Sequence, residues 1–529
     1  MYYFLLYSHR VQRKPNAAAD RRYRWLPVVV HAIAEALAPS DGWATDRDTV
    51  SDGDGGEAGT RMRHFQSVDT KRGTSPRAVG AAIKRSGRDE LSPRRVLRPR
   101  FESFRLPNGL RVLLAPIQSS LTVSVWVWYS VGSKNESPGI TGASHWVEHM
   151  LFEGSPRYPK GAIERAVAGV GGVMNAFTGP DFTACFTTIP GDHLSIPLDI
   201  ESDRMSRALF SDREIQRERS VIRSEREGNE NHPEFRVEEK LYSLAFPHHP
   251  YQWDTLGRPE DIETITPEAL RAFYHRFYGP RNATLVIAGG FEPTQVAGEV
   301  RRRFGLLLES GDSTAVATIE PSAHGERRAE LTGPGTTPYL QLGWRAPALG
   351  DPDAPATMVL DTIMGGESRL FGAEPGWGSS GEHPSSRLYR ALVSTGLAVR
   401  ATSEWQPRVC PGLFTVRAQA AQGVSLDTVE RAIHREADQL ARSGPSSREL
   451  DDARTRIRRG VTVAYEGATR TGLRLGYFAA LHSPEYEDTV LRRLLAVTCD
   501  QVRDHARELF QEDSRVVVGY IPTRERNDA

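Results

Sequence analysis

Cysteine is almost missing from this 529-residue chain: Cys185, Cys410 and Cys499 are widely spaced and odd in number, which excludes a disulfide framework and a CxxC metal knuckle. Any bound metal must therefore sit on histidine and carboxylate. An excess of either charge is also missing, since 67 Lys and Arg balance 67 Asp and Glu. That leaves no basic footprint of the kind phosphate-backbone binding needs, so nucleic acid is not expected as a partner. Long apolar runs are lacking as well. Met1 to Tyr7 is too short for a signal-peptide core before His9 and Arg10, and Trp25 to Ala38 is broken by Pro27, His31 and Glu35. No membrane span and no clear secretory signal are expected, which leans toward the cytoplasm, with the periplasm as the other option. The acidic run Asp46 to Glu57 argues against an organelle transit peptide, and residues 1–95 read as disordered or as an over-long start.

The length exceeds what one hydrophobic core supports, so two or more domains are expected. Structure begins near Phe101, with strands over Leu110–Ala115 and Leu121–Gly132. A helix comes next over Gly142–Phe152, where Ala143, Trp146, Val147, Met150 and Leu151 recur at helical spacing after the breakers Pro138 and Gly139. A short helix at 162–168 leads to a hairpin of Val173–Phe177 with Thr183–Ile189. Helices then cover 194–209 and 212–227, the second opened by Ser211 with Glu214 as its capping-box partner. A strand at Ala283–Ala288 and a helix from Pro293 close the first unit.

The same order of elements returns later. A strand at 339–344, helices at 354–363 and 386–392, strands at 398–403 and 413–418, long helices and a closing strand at 515–520 repeat the plan. The expected fold is α+β: two tandem copies of one unit, each an antiparallel-rich sheet covered by helices, behind a disordered extension. The expected boundaries are 96–307 for the first domain, 308–329 for a linker and 330–525 for the second domain.

His145-Trp146-Val147-Glu148-His149 places two imidazoles at i and i+4 on one helix face, the spacing two ligands of one tetrahedral zinc require. Glu148, beside them, can reach a water at the metal and take its proton without being a ligand. A catalytic zinc keeps three protein ligands and an open position. Helix 212–227 carries Glu218 and Glu225 seven residues apart on one face, with Val221 and Ile222 between them to pack against the core. One of these carboxylates can ligate while the other orients a histidine or the ligand.

The stretch Gly142–Gly154, GASHWVEHMLFEG, resembles the zinc helix of the inverzincin peptidases, the family of pitrilysin, the insulin-degrading enzyme and mitochondrial processing peptidase. The resemblance runs from about Phe101 to Ile521. It implies one zinc per chain held by His145, His149 and a glutamate 76 positions after the second histidine, which is Glu225. It also implies Glu148 as the catalytic base, Glu218 as a support for catalysis, and Asn175-Ala176-Phe177-Thr178 as the strand whose edge pairs with an extended substrate. Active members that close on substrate carry an Arg and a Tyr seven positions apart in the second domain, and here Leu392 and Val399 occupy those places. Arg387, Tyr389, Arg390 and Arg400 are expected on a solvated helix face and strand edge rather than as a substitute pair.

The expected function is therefore a zinc endopeptidase acting on peptides or unfolded segments, and the competing one a catalytically silent scaffold or peptide-binding subunit. A homodimer, or a heterodimer with a chain supplying the Arg/Tyr pair, is implied. His193 is expected to open a helix and His248-His249-Pro250 to form a loop, with no ligand role.

Overall fold

The strand Thr122–Tyr129 sets the plan of the first half because both of its faces are apolar. Val123, Val125, Val127 and Tyr129 point one way and Trp126 and Trp128 the other, and all six are buried. A strand buried on both sides needs a layer on each. The computed structural model describes residues 100–322, 324–366 and 383–523, and the expected disordered stretch 1–95 lies outside the described residues.

Six strands, β1 (Glu102–Arg105), β2 (Arg111–Pro116), β3 (Thr122–Tyr129), β4 (Val173–Thr178), β5 (Thr183–Pro190) and β6 (Ala283–Gly289), form one sheet in the order β1-β2-β6-β3-β5-β4. Five more, β7 (Arg327–Pro334), β8 (Tyr339–Ala346), β9 (Ala398–Trp405), β10 (Gly412–Ala420) and β11 (Val516–Thr523), form a second in the order β7-β11-β8-β10-β9. In each sheet one pair is parallel, β2 with β6 and β7 with β11, and the other pairings are antiparallel. Deleting β1 from the first sheet leaves the topology of the second. The expected α+β repeat is present, as two sheets each covered by helices.

Six helices either carry candidate site residues or join the two sheets: α1 (Ala143–Met150), α2 (Asp212–Glu230), α3 (Pro233–Ala245), α4 (Ala354–Met364), α5 (Gly467–Leu481) and α6 (Cys499–Leu509). The valine face of β3 packs with Ala143, Trp146, Val147 and Met150 of α1 and Ile222 of α2. Its tryptophan face meets α5, which comes from the second half of the chain, through Leu475 and Phe478. Gly472 and Gly476 let α5 approach, because a Cβ on either would enter the indole of Trp126 or Trp128. In return α3, from the first half, lays Val237, Leu241 and Ala245 on Val516, Val518 and Leu413 of the second sheet. Each half thus covers a face of the other's sheet.

Three details depart from the sequence reading. Ser211 accepts the Glu214 N–H as expected, but the Glu214 carboxylate does not reach back to close a capping box. It binds Lys160 and Arg217 instead, at 2.5 and 3.0 Å. The helix expected at 386–392 contains a wider π-helical turn, Tyr389–Val393. Arg387, expected on a solvated face, is buried and bonded to Glu449 at 2.8 Å, and Arg390 joins the same carboxylate at 2.9 Å.

Candidate metal centre

The centre starts with the way α1 is entered. Gly142 precedes the helix at φ 87°, where an added Cβ would lie 2.6 Å from the Leu256 carbonyl oxygen, so both conformation and space require glycine. No side chain at Gly142 can cap the helix, and the buried carboxylate of Glu136 does so, accepting the N–H groups of Gly142 at 2.7 Å and Ser144 at 2.8 Å. An anion at the positive end of the helix is the favourable arrangement. With Trp146, Val147 and Met150 turned into the core, His145, Glu148 and His149 line the remaining face toward α2 and β4.

His145 and His149 bring their Nε2 atoms to 3.2 Å. Glu225 Oε2 on α2 lies 3.7 Å from the first and 3.8 Å from the second. The circle through these three atoms has a radius of about 2.1 Å, which is the bond length zinc takes to imidazole nitrogen and carboxylate oxygen. Two turns back on the same helix face, Glu218 Oε2 lies 3.1 Å from His149 Nδ1. Receiving that N–H fixes the tautomer and leaves the Nε2 lone pair of His149 facing His145 and Glu225. The Glu218 carboxylate therefore touches the histidine and not the open side of the centre. Glu148 points elsewhere: its Oε2 accepts a 2.5 Å hydrogen bond from Thr178 Oγ1 at the end of β4. His145, Glu148, Glu218 and Glu225 are buried, whereas the His149 side chain keeps 20% of its surface in solvent.

The electrostatics fit a divalent cation. Burial, helped by the neighbouring His149, holds the His145 imidazole well below its usual range, so it is neutral and able to donate a lone pair. Burial also pushes the Glu225 carboxyl up to about 7, with His149 opposing and Glu148 adding to the rise. Its Oε2 is buried and accepts no hydrogen bond among the described residues. A buried oxygen without a donor costs free energy that a cation at the shared point would offset. Glu148 is raised by burial as well, against the pull of His149 and the Thr178 hydrogen bond.

β4 is the outer strand of the first sheet, pairing with β5 only among the described residues. The Ala176 N–H is held at 2.9 Å by Asn175 Oδ1. The Phe177 ring turns away from the centre into an edge-on aromatic group with Trp126, Trp128 and Phe182, so only its main chain is available to a strand laid along β4. His193 sits exposed in the short turn Gly191–His193 that precedes helix Ser195–Arg207. His248 pairs with Glu320, and His249 Nδ1 accepts the Tyr251 N–H at 3.1 Å, both in a loop as expected. Leu392 is fully buried and Val399 is 59% exposed on β9. Glu136 was missed by sequence reasoning, and the only signal it offered was a carboxylate a few residues before a helix that lacks a side-chain cap.

This architecture and this cluster define a two-sheet α+β protein with an inverted histidine–glutamate helix. The family model described as insulinase (peptidase family M16) matches residues 111–258, and the one described as peptidase M16 inactive domain matches 264–457. The chain belongs to this pitrilysin-like M16 family of peptidases. It is 25% identical over 417 residues to an uncharacterized zinc protease, YmxG, of Bacillus subtilis, covering 78% of this chain and 96% of that one. It is 27% identical over 366 residues to a probable mitochondrial-processing peptidase subunit beta of Arabidopsis thaliana, covering 69% of this chain and 67% of the relative. A solved protease from Helicobacter pylori shares the fold with a TM-score of 0.74 at 24% identity, over 80% of this chain and all of that one.

Proposed function

We propose that the chain is a zinc-dependent endopeptidase that cuts peptides or unfolded protein segments, with His145, His149 and Glu225 holding one zinc ion and Glu148 as general base. The observation that carries this reading is the convergence of three donor atoms on one point beside a separate, buried carboxylate that is not among them. A purely structural site would close with a fourth protein ligand and need no spare base. The names of relatives as zinc proteases support the same metal.

When bound, the zinc ion supplies Lewis acidity, polarising the scissile carbonyl and making water more acidic. Glu148 takes a proton from the attacking water and hands it to the leaving amine. Burial raises its carboxyl toward the working pH, where such a base is most effective. Thr178 holds one of its oxygens, so the other is directed by the hydrogen bond rather than by chance rotation. Glu218 positions His149. The open edge of β4 pairs with an extended substrate, the Ala176 N–H exchanging Asn175 Oδ1 for a substrate carbonyl.

A second reading has one observation in its favour. Leu392 and Val399 offer no Arg/Tyr pair, and the arginines nearest Leu392 in sequence, Arg387 and Arg390, are engaged by Glu449. In that reading the chain is a silent or peptide-binding subunit until it meets a chain that supplies the pair. One relative is named as a subunit.

Removal of metal tests the proposal. Cleavage of a quenched fluorescent peptide library should cease after chelation and return with zinc. Cleavage that survives a fully demetallated sample contradicts the metallopeptidase reading, and a zinc-loaded chain that cuts only when a second chain is added supports the subunit reading.

A further inference from the structure

A second group of donors converges in the other half of the chain. One ligand atom each of Asp353, His505 and Glu508 lies within 4.8 Å of the other two. Asp353 stands at the N-cap position of α4 without a side-chain capping hydrogen bond, and His505 and Glu508 are three residues apart on α6. The two carboxylates are exposed and His505 is buried, with 8% of its surface in solvent.

The hydrogen bonds decide which nitrogen is available. Thr357 Oγ1 donates to the Asp353 carbonyl at 3.0 Å, the usual bond of a helical threonine one turn back, so its hydrogen is committed. The 2.8 Å contact between Thr357 Oγ1 and His505 Nε2 must then be donated by the histidine. A neutral imidazole that donates from Nε2 carries a lone pair on Nδ1, and that atom is buried with no hydrogen-bond partner among the described residues. A buried lone pair without a donor costs free energy, and one ligand atom of the same imidazole lies within 4.8 Å of both carboxylates. A cation bound there removes that cost and the repulsion between the two carboxylates.

We propose that Asp353, His505 and Glu508 form a second metal site, taking a divalent first-row transition-metal ion through His505 Nδ1 and one oxygen of each carboxylate. Mixed nitrogen and oxygen donors suit that class of ion better than calcium or magnesium, which favour oxygen alone. The exposed carboxylates leave the rest of the coordination shell to water. The ion ties the start of α4, which succeeds β8 as α1 succeeds β3, to the last turn of α6. The site is independent of the proposed catalytic centre.

Zinc is the probe. The full chain, stripped by chelator, is titrated with zinc against a chromophoric competitor, and the wild type is expected to take up two equivalents. Asp353→Asn combined with Glu508→Gln changes only exposed groups and should melt like the wild type in chelator, yet bind one equivalent fewer. His505→Asn should do the same. His145→Ala with Glu225→Gln should lose the other equivalent and keep a zinc-induced rise in melting temperature, which vanishes when the Asp353 and Glu508 substitutions are added. Equal zinc content in wild type and Asp353→Asn/Glu508→Gln overturns the site, as does a second equivalent weaker than about 10 μM, or about 7 kcal/mol of binding.

Discussion

Glu148 and His149 are neighbours on one helix, yet they are held by different parts of the molecule, His149 by Glu218 on α2 and Glu148 by Thr178 on β4. The proposed ligand is therefore oriented by a helix and the proposed base by the strand along which substrate is proposed to lie. A hydrogen bond to a charged group is worth about 1.5–3 kcal/mol, so Thr178→Val is expected to lower kcat by about tenfold to a hundredfold with KM little changed. Thr178→Ser should restore most of the rate, and a loss confined to KM would show that Thr178 serves substrate binding alone. The motif itself was legible because i, i+3 and i+4 on one helix is a local pattern, whereas the helix face offered Glu218 and Glu225 alike and only the spacing implied by the resemblance singled out Glu225. Glu136 and the Thr178 contact were not legible, because they come from chain segments whose meeting depends on the fold.

At the scale of elements, two bidentate ion pairs, each with a partly shielded carboxylate, fasten the second half. Arg328 on β7 grips Glu430 with both guanidinium nitrogens, at 2.8 and 2.7 Å, and Arg387, ahead of the π-helical turn, grips Glu449 at 2.8 and 3.0 Å. Burial alone would raise both carboxyls, but the arginine hydrogen bonds outweigh it and hold each at about 2. Because the folded pKa lies below the unfolded value of about 4.3, this stabilisation is complete above that value and is lost as pH falls toward about 2. Melting temperature should drop across that window, and Glu430→Gln with Glu449→Gln should flatten the drop while lowering stability at neutral pH; an unaltered acid limb in the variant would sink this attribution. β7 escaped sequence reading for a related reason. Its residues RRAELTGP alternate between half-buried and exposed with only Ala329 and Leu331 as apolar side chains on the half-buried face, and its pairing with β11 comes from far along the chain. The π-helical turn has the same apolar spacing as an α-helix over so few residues, and periodicity could not separate the two.

Over the whole molecule, the exchange of α3 and α5 makes the two sheets interdependent. The expectation of two tandem units captured the repeat of strand order but not this exchange, because amphipathic patterns show that a helix has an apolar face and not which sheet receives it. Gly476→Val would drive a branched side chain into Trp128, with no room to give between two packed layers. A loss of about 1–3 kcal/mol or more is expected, together with a single unfolding transition in calorimetry in which both sheets melt at once. Two separate transitions, one unaffected by the substitution, would mean that the halves are independent.

The most direct test of the proposed chemistry compares wild-type chain with Glu148→Gln, each assayed for bound zinc and for cleavage of an unfolded peptide substrate in the presence of any co-purifying partner. Glu148 is not among the three converging donors, so the variant should bind as much zinc as the wild type and lose at least about a hundredfold in kcat. Equal cleavage by the two proteins, at equal zinc content, would contradict the assignment of Glu148 as the base and with it the proposed peptidase mechanism.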